Sequence, residues 1–294
     1  MTPPRVLIVG STGVIGKAVA ADLAQSFDLI TASRHSNGGN HYVVDVAQPG
    51  QLHQLVRHIG PEFIVHLVGG QYPGVADVWR VNAFVTLELL EVVRHWPAKV
   101  VLFGSAAEYG CSASGLLRED AVLSPITEYG RAKVAQTMLA AGATERGVEV
   151  LILRPFNIVS PWQPPGSALG DLVAQIVDQR GPTRVVRCGR LDIERDYVPV
   201  GFVSSVIRAV LEKWPGSRVL NVCSGVGIRL EEVVAAVGNV MGIELAFVVD
   251  EGLARLAAAD RVVGDPSALE KVTGLVCRPT ARSLAETLVA RMSV

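Results

Sequence analysis

Several things are scarce in this sequence, and each scarcity points away from a class of protein. Of 294 residues, four are cysteine and 5% are aromatic. Cys111, Cys188, Cys223 and Cys277 are widely spaced and form neither a CxxC pair nor a zinc-ligand pattern. Buried free thiols in a reducing compartment are therefore expected, with no disulfide framework and no metal. A net charge of −1 gives no handle for nucleic acid or an anionic membrane surface. No apolar run approaches the ~18 residues a spanning helix needs. The chain enters its first strand-like run directly after Met1-Thr2-Pro3-Pro4, so no signal peptide is expected. There is no repeat of roughly 20–50 residues and no low-complexity tract. A soluble, cytoplasmic protein with no nucleic-acid or membrane partner is the expectation.

What is abundant is apolar: 49% of residues are hydrophobic, and the mean hydropathy is +0.35. That suits a parallel sheet covered on both faces, whose strands read as continuous apolar runs. The length fits one large domain, or one domain plus a smaller lobe. Of the 27 basic residues 22 are arginine, which reflects codon usage or a demand for bidentate phosphate binding.

Strand-like runs occupy Arg5–Val9, Leu29–Ala32, Tyr42–Val44, Phe63–Val68, Val100–Phe103 and Val148–Leu153. Helical periodicity fills Gly13–Ala24, Gln51–His58, Val75–His95 and Tyr129–Arg146 between them. The alternation predicts an α/β fold: a Rossmann-type, right-handed, doubly wound parallel sheet over residues 1–154. The character changes after Arg154, where Ser160-Pro161-Trp162-Gln163-Pro164-Pro165-Gly166 is too rigid and too broken for either element. Residues 155–294 are read mainly as a smaller C-terminal α/β substrate lobe, of short helices and isolated strands such as Val219–Val222. The boundary is soft and the chain is free to cross back. In such sheets ligands sit outside the carboxyl ends of the strands, so the glycine turn, Ser105 and Arg154 should converge there.

Gly10, Gly13 and Gly16 have GxxGxxG spacing between a strand and a helix. The turn lets backbone approach a pyrophosphate closely and aims the helix N-terminus at it. Thr12, Val14 and Ile15 belong to the same turn. The second strand ends Thr31-Ala32-Ser33-Arg34, where an NAD site places an acid on the ribose 2′-hydroxyl. A hydroxyl and a guanidinium suit a 2′-phosphate, so NADPH is favoured over NADH; otherwise Arg34 is a solvated loop arginine. Asp45 either meets the adenine amino group or caps the next helix.

Tyr129 and Lys133, at i and i+4, share a helix face. The ammonium is expected to lower the phenol toward the working pH and to hold nicotinamide ribose hydroxyls, while Ser105 polarises a carbonyl. His66 reads as packing, Asn82 as a clamp on active-site backbone, and Trp162 as a stacking surface or core filler.

At this point the chain resembles the extended short-chain dehydrogenases/reductases that act on nucleotide sugars, the epimerase/dehydratase group. The pieces that carry the resemblance run along nearly the whole chain. They are the Gly10 turn, His66-Leu67-Val68-Gly69, Val81-Asn82, Ser105-Ala106-Ala107-Glu108-Tyr109-Gly110, Tyr129–Lys133 and Leu153-Arg154-Pro155-Phe156-Asn157. Arg195-Asp196-Tyr197-Val198, Val219–Gly225 and Asp265-Pro266-Ser267-Ala268-Leu269 continue it. Within the group the chain is most similar to deoxysugar 4-ketoreductases. The resemblance implies a Ser105/Tyr129/Lys133 triad. It adds Val46, Leu67, Val68, Gly69, Asn82 and Pro155 to the cofactor site, and Ala106 to the substrate site. It puts Asn157, Arg195 and Arg261 on the diphosphate of a nucleotide-diphosphate sugar. It further implies a homodimer through the helices near Val75–His95 and Tyr129–Arg146. One departure is Gly201-Phe202, where the family usually has an acidic pair.

The residues after the serine separate the reactions. A 4,6-dehydratase carries Asp-Glu there and a 3,5-epimerising reductase a cysteine; this chain has Ala106 and Ala107, with Glu108 one place later. Ketone reduction is the reading left. The alternatives are a 4-epimerase with bound NAD, a ketoreductase of another small ketone, and a non-catalytic NADP sensor.

Overall fold

The computed structural model describes residues 2–36, 38–110, 115–163, 166–254 and 259–290; Cys111, Pro164 and Pro165 lie outside them. Six strands and the helices between them come first: β1 (Arg5–Val9), α1 (Val14–Leu23), β2 (Asp28–Ser33), β3 (His41–Val43), α2 (Gln51–Ile59), β4 (Phe63–His66), α3 (Val75–Trp79), α4 (Val85–Val93), β5 (Lys99–Phe103), α5 (Glu128–Glu145) and β6 (Val150–Pro155). Then follow β7 (Asn157–Val159), α6 (Ala168–Asp178), β8 (Thr183–Cys188), β9 (Glu194–Pro199), α7 (Val200–Glu212) and β10 (Arg218–Val222). The chain ends with β11 (Gly227–Arg229), α8 (Leu230–Met241), β12 (Glu244–Val249), α9 (Glu251–Ala254), β13 (Arg261–Val262), α10 (Ser267–Thr273) and α11 (Ala281–Val289).

Seven parallel strands form the main sheet in the order β10-β6-β5-β4-β1-β2-β3. The β-branched runs build it because both faces are covered. Val6 and Ile8 join one buried cluster, with α1 and α7, while Leu7 and Val9 join the opposite one, with α2, α4 and α5. Successive strand residues point to opposite faces, so a run that is apolar throughout feeds two cores. A third cluster, built on α6, α8, α11, β8 and β9, is the core of the lobe.

Three expectations change. Val219–Val222 is not an isolated strand: it lies within β10, which returns to the main sheet beside β6, and α7 packs on α1. Residues beyond 154 therefore complete the sheet as well as building the lobe. The helix expected over Val75–His95 is broken into α3 and α4 by a π-helical turn, Arg80–Phe84, which holds the buried Asn82. Such turns are rare and often mark functional sites. Phe63–Val68 stops being strand at His66, which frees Leu67–Gly70 to line a crevice.

The order of strands reverses at β1, whose neighbours are β2 and β4. The loops after β1 and β4 diverge from this point and leave a crevice over the carboxyl ends of the strands. Cys188, Cys223 and Cys277 are buried free thiols. Among the described residues no helix is long and apolar enough to cross a membrane, and no cluster of three or more His, Cys, Asp or Glu side chains could hold a metal ion.

Candidate active site

The crevice begins at the glycine turn. Gly10 has φ +93°, and a Cβ there would sit 3.0 Å from the Val68 backbone nitrogen, so only glycine lets the β1 and β4 loops approach this closely. Gly16 packs a turn later against the Gly10 carbonyl and the Ser11 backbone. Beside this turn is a cavity of about 190 Å³ lined by Gly10, Thr12, Gly13, Ser33, Arg34, Asp45, Val46, Leu67, Val68 and Gly69. His35 and Tyr72 also line it, which the sequence reading missed. Ser33 Oγ donates to the His35 carbonyl at 2.8 Å, and Asp45 Oδ1 accepts from the Ala47 amide at 3.1 Å. The bare backbone at the helix N-terminus and the long cleft beside it fit a dinucleotide.

A second cavity, of about 420 Å³, continues from the first past Leu67 and Gly69. Ile15, Ser105, Tyr129, Lys133, Pro155, Asn157 and Arg195 all line it, although they come from five separate parts of the chain. A third, of about 340 Å³, shares Ser105, Tyr129, Pro155, Asn157 and Arg195 and adds Ala106. Gln71 faces both, from the loop after β4. Nothing in the sequence marked it beyond its place after Gly69-Gly70.

Ser105 lies two residues past the end of β5 and caps a short 3-10 turn, accepting at Oγ from the Ala107 amide at 3.1 Å. Tyr129 lies in the first turn of α5, which starts at Glu128 because Thr127 caps it through the Gly130 amide. Lys133 is one turn on and nearly fully buried. Its Nζ donates to the Phe103 carbonyl at 2.7 Å and to Gln136 Oε1 at 3.0 Å, and lies 5.8 Å from the Tyr129 ring centre. Burial pulls the lysine down to about 8, partly countered by Glu108. Burial also raises the Tyr129 phenol, opposed by a hydrogen bond from Ser105 and reinforced by Glu108. The expected lowering of Tyr129 by Lys133 is thus corrected. Two of the three ammonium N–H groups go to a carbonyl and an amide oxygen, and desolvation decides the direction at Tyr129.

Gly69, at φ +156°, leaves room for two neighbours: a Cβ there would lie 2.8 Å from Asn82 Oδ1 and 3.0 Å from Lys133 Nζ. Asn82 accepts from the Gly70 amide at 3.0 Å and donates to the Gly70 carbonyl at 2.8 Å. It shapes the crevice from below, and none of the three cavities is lined by it, nor by Val14, Gly16 or Arg261. Arg261 pairs with Glu194 at 2.9 Å and donates to the Gly115 carbonyl at 2.7 Å. Asn157 donates to the Asp196 carbonyl at 3.0 Å, and Arg195 to the Ala259 carbonyl at 2.9 Å.

Arg154 does not converge on the crevice as expected. It is turned into the core, where its Nε meets Glu108 Oε2 at 2.9 Å and its Nη1 donates to Tyr109 Oη at 3.0 Å. Glu108 is buried with it, and also takes the Ser105 amide and the Thr137 hydroxyl, each at 2.8 Å. His66 is fully buried with neither ring nitrogen bonded, which pulls it down to about 3.

A model of the NAD dependent epimerase/dehydratase family matches residues 6–223, which takes in the glycine turn, Ser105, Tyr129, Lys133 and the return strand β10. The chain belongs to this family. It is an NAD(P)-dependent oxidoreductase of the extended short-chain dehydrogenase/reductase type. It is 28% identical over 289 residues to GDP-6-deoxy-D-mannose reductase of Pseudomonas aeruginosa, covering 92% of this chain and 91% of that protein. It is 29% identical over 238 residues to dTDP-6-deoxy-L-talose 4-dehydrogenase (NAD(P)(+)) of Kitasatospora kifunensis, covering 76% and 74% respectively. In fold it is similar to the Pseudomonas aeruginosa protein RMD solved with NADPH, at a TM-score of 0.84 and 24% identity, over 98% of this chain and 97% of that one.

Proposed function

We propose that this family member reduces the C4 ketone of a nucleotide-activated 4-keto-6-deoxy sugar with NADPH. One observation carries the choice of reaction. Ser105 and Tyr129 face the cavity, while Glu108, the carboxylate bonded to the Ser105 amide, is turned away into an ion pair with Arg154. The two residues directly after Ser105 are alanines, so no further acid or base stands ready for elimination or 3,5-epimerisation. The named activities of the relatives from Pseudomonas and Kitasatospora, a GDP-6-deoxy-D-mannose reductase and a dTDP-6-deoxy-L-talose 4-dehydrogenase, support the same reading.

When bound, the dinucleotide supplies the hydride. The Ser105 hydroxyl donates to the substrate carbonyl oxygen and stabilises the charge that develops on it. Tyr129 then protonates that oxygen. A high phenol pKa keeps the proton in place at neutral pH until the alkoxide, a stronger base, draws it off. Lys133 orients the ribose near Tyr129. In this reading Asn157 and Arg195, which line the same cavity, meet the diphosphate, with Arg195 exchanging a backbone carbonyl for a phosphate oxygen. Ser33 and Arg34 at the other end accept a 2′-phosphate, and no acid at the end of β2 opposes it.

Phe84 of the π-helical turn, Leu87 of α4 and Met138 of the neighbouring α5, which are 60%, 40% and 69% exposed, supply the apolar face for a homodimer. The reading is tested by following NADPH oxidation with GDP-4-keto-6-deoxymannose, beside dTDP-4-keto-6-deoxyglucose and with NADH in parallel. Turnover of one sugar, faster with NADPH, is the expected outcome. No oxidation with either sugar, together with NAD released on denaturing the purified protein, would replace it with a 4-epimerase.

A further inference from the structure

We propose that Glu108 is a positioning residue for this site, joining the turn that carries Ser105 to the helix face that carries Tyr129 and Lys133. The proposal rests on the reading of Ser105, Tyr129 and Lys133 as the catalytic residues. Its basis is where the two carboxylate oxygens go. Oε1 accepts from the Ser105 amide at 2.8 Å, which fixes the backbone of the serine itself. Oε2 accepts from Thr137 Oγ1 at 2.8 Å and from Arg154 Nε at 2.9 Å.

Tyr129, Lys133 and Thr137 are spaced i, i+4 and i+8, so they form one stripe along α5. The stripe is pinned at two points, to the end of β5 by Lys133 on the Phe103 carbonyl and to the 3-10 turn after it by Thr137 on Glu108. Gly104 lies between these points, and a Cβ there would meet Glu108 Oε1 and come within 3.0 Å of Arg154 Cγ. The glycine lets the ion pair pass directly beneath the floor of the cavity, which Gly104 itself lines. Burial raises the Glu108 carboxyl; Arg154 opposes that rise and ties the carboxylate to β6, and through Tyr109 Oη to Asn221 of β10.

A buried ion pair is weak support for stability alone, since apolar residues of like volume often serve as well. This one instead spends every acceptor on the parts that must stay in register for a proton to pass. It also acts on Lys133 through space. The titratable groups that face Lys133 are Glu108 from the 3-10 turn, His66 from β4 and Tyr129 from its own helix; Glu108 raises the lysine against its burial.

Two variants test the proposal. Glu108→Gln keeps the shape and one acceptor but removes the charge. Thr137→Val removes only the bond from α5 and leaves the ion pair whole. The chain has five lysines, so Lys133 can be followed without substrate by ¹³Cε NMR titration, assigned with Lys133→Arg. In Glu108→Gln the Lys133 midpoint should fall below that of the wild type, and kcat should drop about 100-fold with KM for the sugar unchanged. In Thr137→Val kcat should drop about 10-fold, again without a change in KM, as expected for a small misplacement.

A Lys133 titration unchanged by Glu108→Gln would overturn the proposal, as would a kcat unchanged in Thr137→Val. Should Glu108→Gln fail to fold, Thr137→Val decides alone by its kcat. If the wild type turns over neither keto sugar, the functional reading fails and the Lys133 titration decides the role of Glu108.

Discussion

Beneath the end of β5, Glu108 and Arg154 meet at 2.9 Å with 0% and 2% of their side chains exposed. In the loop between β8 and β9, Arg190 meets Asp192 at 2.8 Å and Asp260 at 2.6 Å, with 36%, 61% and 82% exposed. The surface contacts are the shorter ones, yet the two clusters play opposite roles. Water and salt screen the exposed arginine, and ordering three side chains offsets most of what their attraction contributes. In the core nothing screens the pair, and each charge depends on its partner. The same division runs through the site. Tyr129 and Lys133 have directions of titration set by burial, whereas Arg34, Arg190 and Arg261 stand where solvent reaches them.

The largest effect should come from the buried side. Tyr129→Phe keeps the ring and removes the proton donor, so kcat should fall by about 10³-fold, within the ~10²–10⁴ typical of general acid catalysis. Cofactor binding, read by quenching of protein fluorescence, should be unchanged. Turnover that survives intact would take Tyr129 out of the mechanism.

Breaking the core pair comes next. Arg154→Leu leaves Glu108 buried without its counter-charge and should cost about 3–5 kcal/mol in chemical denaturation, as for other buried pairs with one member removed. Arg190→Ala, which breaks two shorter contacts, should leave the unfolding midpoint where it is. Equal losses in the two variants would erase the distinction between the clusters.

His66 extends the contrast to a charge the core never admits. Its pKa is held at about 3 against an ordinary 6.5, so the unfolded chain takes up a proton that the folded one refuses. A lowered folded-state value contributes stability that is present above pH 6.5 and is lost as the pH falls toward 3. Between pH 6.5 and 4 the loss from this residue is about 3 kcal/mol, at 1.36 kcal/mol per unit. His66→Leu should flatten that limb of the stability curve. A limb of the same slope would show that the ring gains a partner as it becomes charged.

How much of this was legible in the sequence follows from the range of the interactions. The Gly10 turn and the Tyr129–Lys133 face are local: a spacing of three or four residues sets each, and each lies where its spacing puts it. Glu108 and Arg154 are 46 residues apart, and only the parallel pairing of β5 with β6 brings them together. A residue at a strand end can point into the crevice or into the core, and periodicity does not say which. Val219–Val222 was readable as strand but not as part of the main sheet, because its partner β6 lies across α6, α7 and the lobe. Gln71 and the π-helical turn at Asn82 had no pattern to announce them.

The smallest expected effect belongs to the most exposed of these charges. Arg34 follows the buried Ser33 at the end of β2, in solvent and on the rim of the cavity beside the glycine turn. Nothing in the fold depends on it, so Arg34→Ala should unfold with the wild type. Against a 2′-phosphate the same guanidinium makes a charge-assisted hydrogen bond worth about 1.5–3 kcal/mol. The KM for NADPH should therefore rise about 10- to 100-fold while that for NADH stays within about 2-fold. Because the contact is solvent-exposed, the NADPH effect should shrink as salt is raised. If both cofactors weaken together, Arg34 acts on something they share, and the 2′-phosphate preference must be sought at His35 or Ser33 instead.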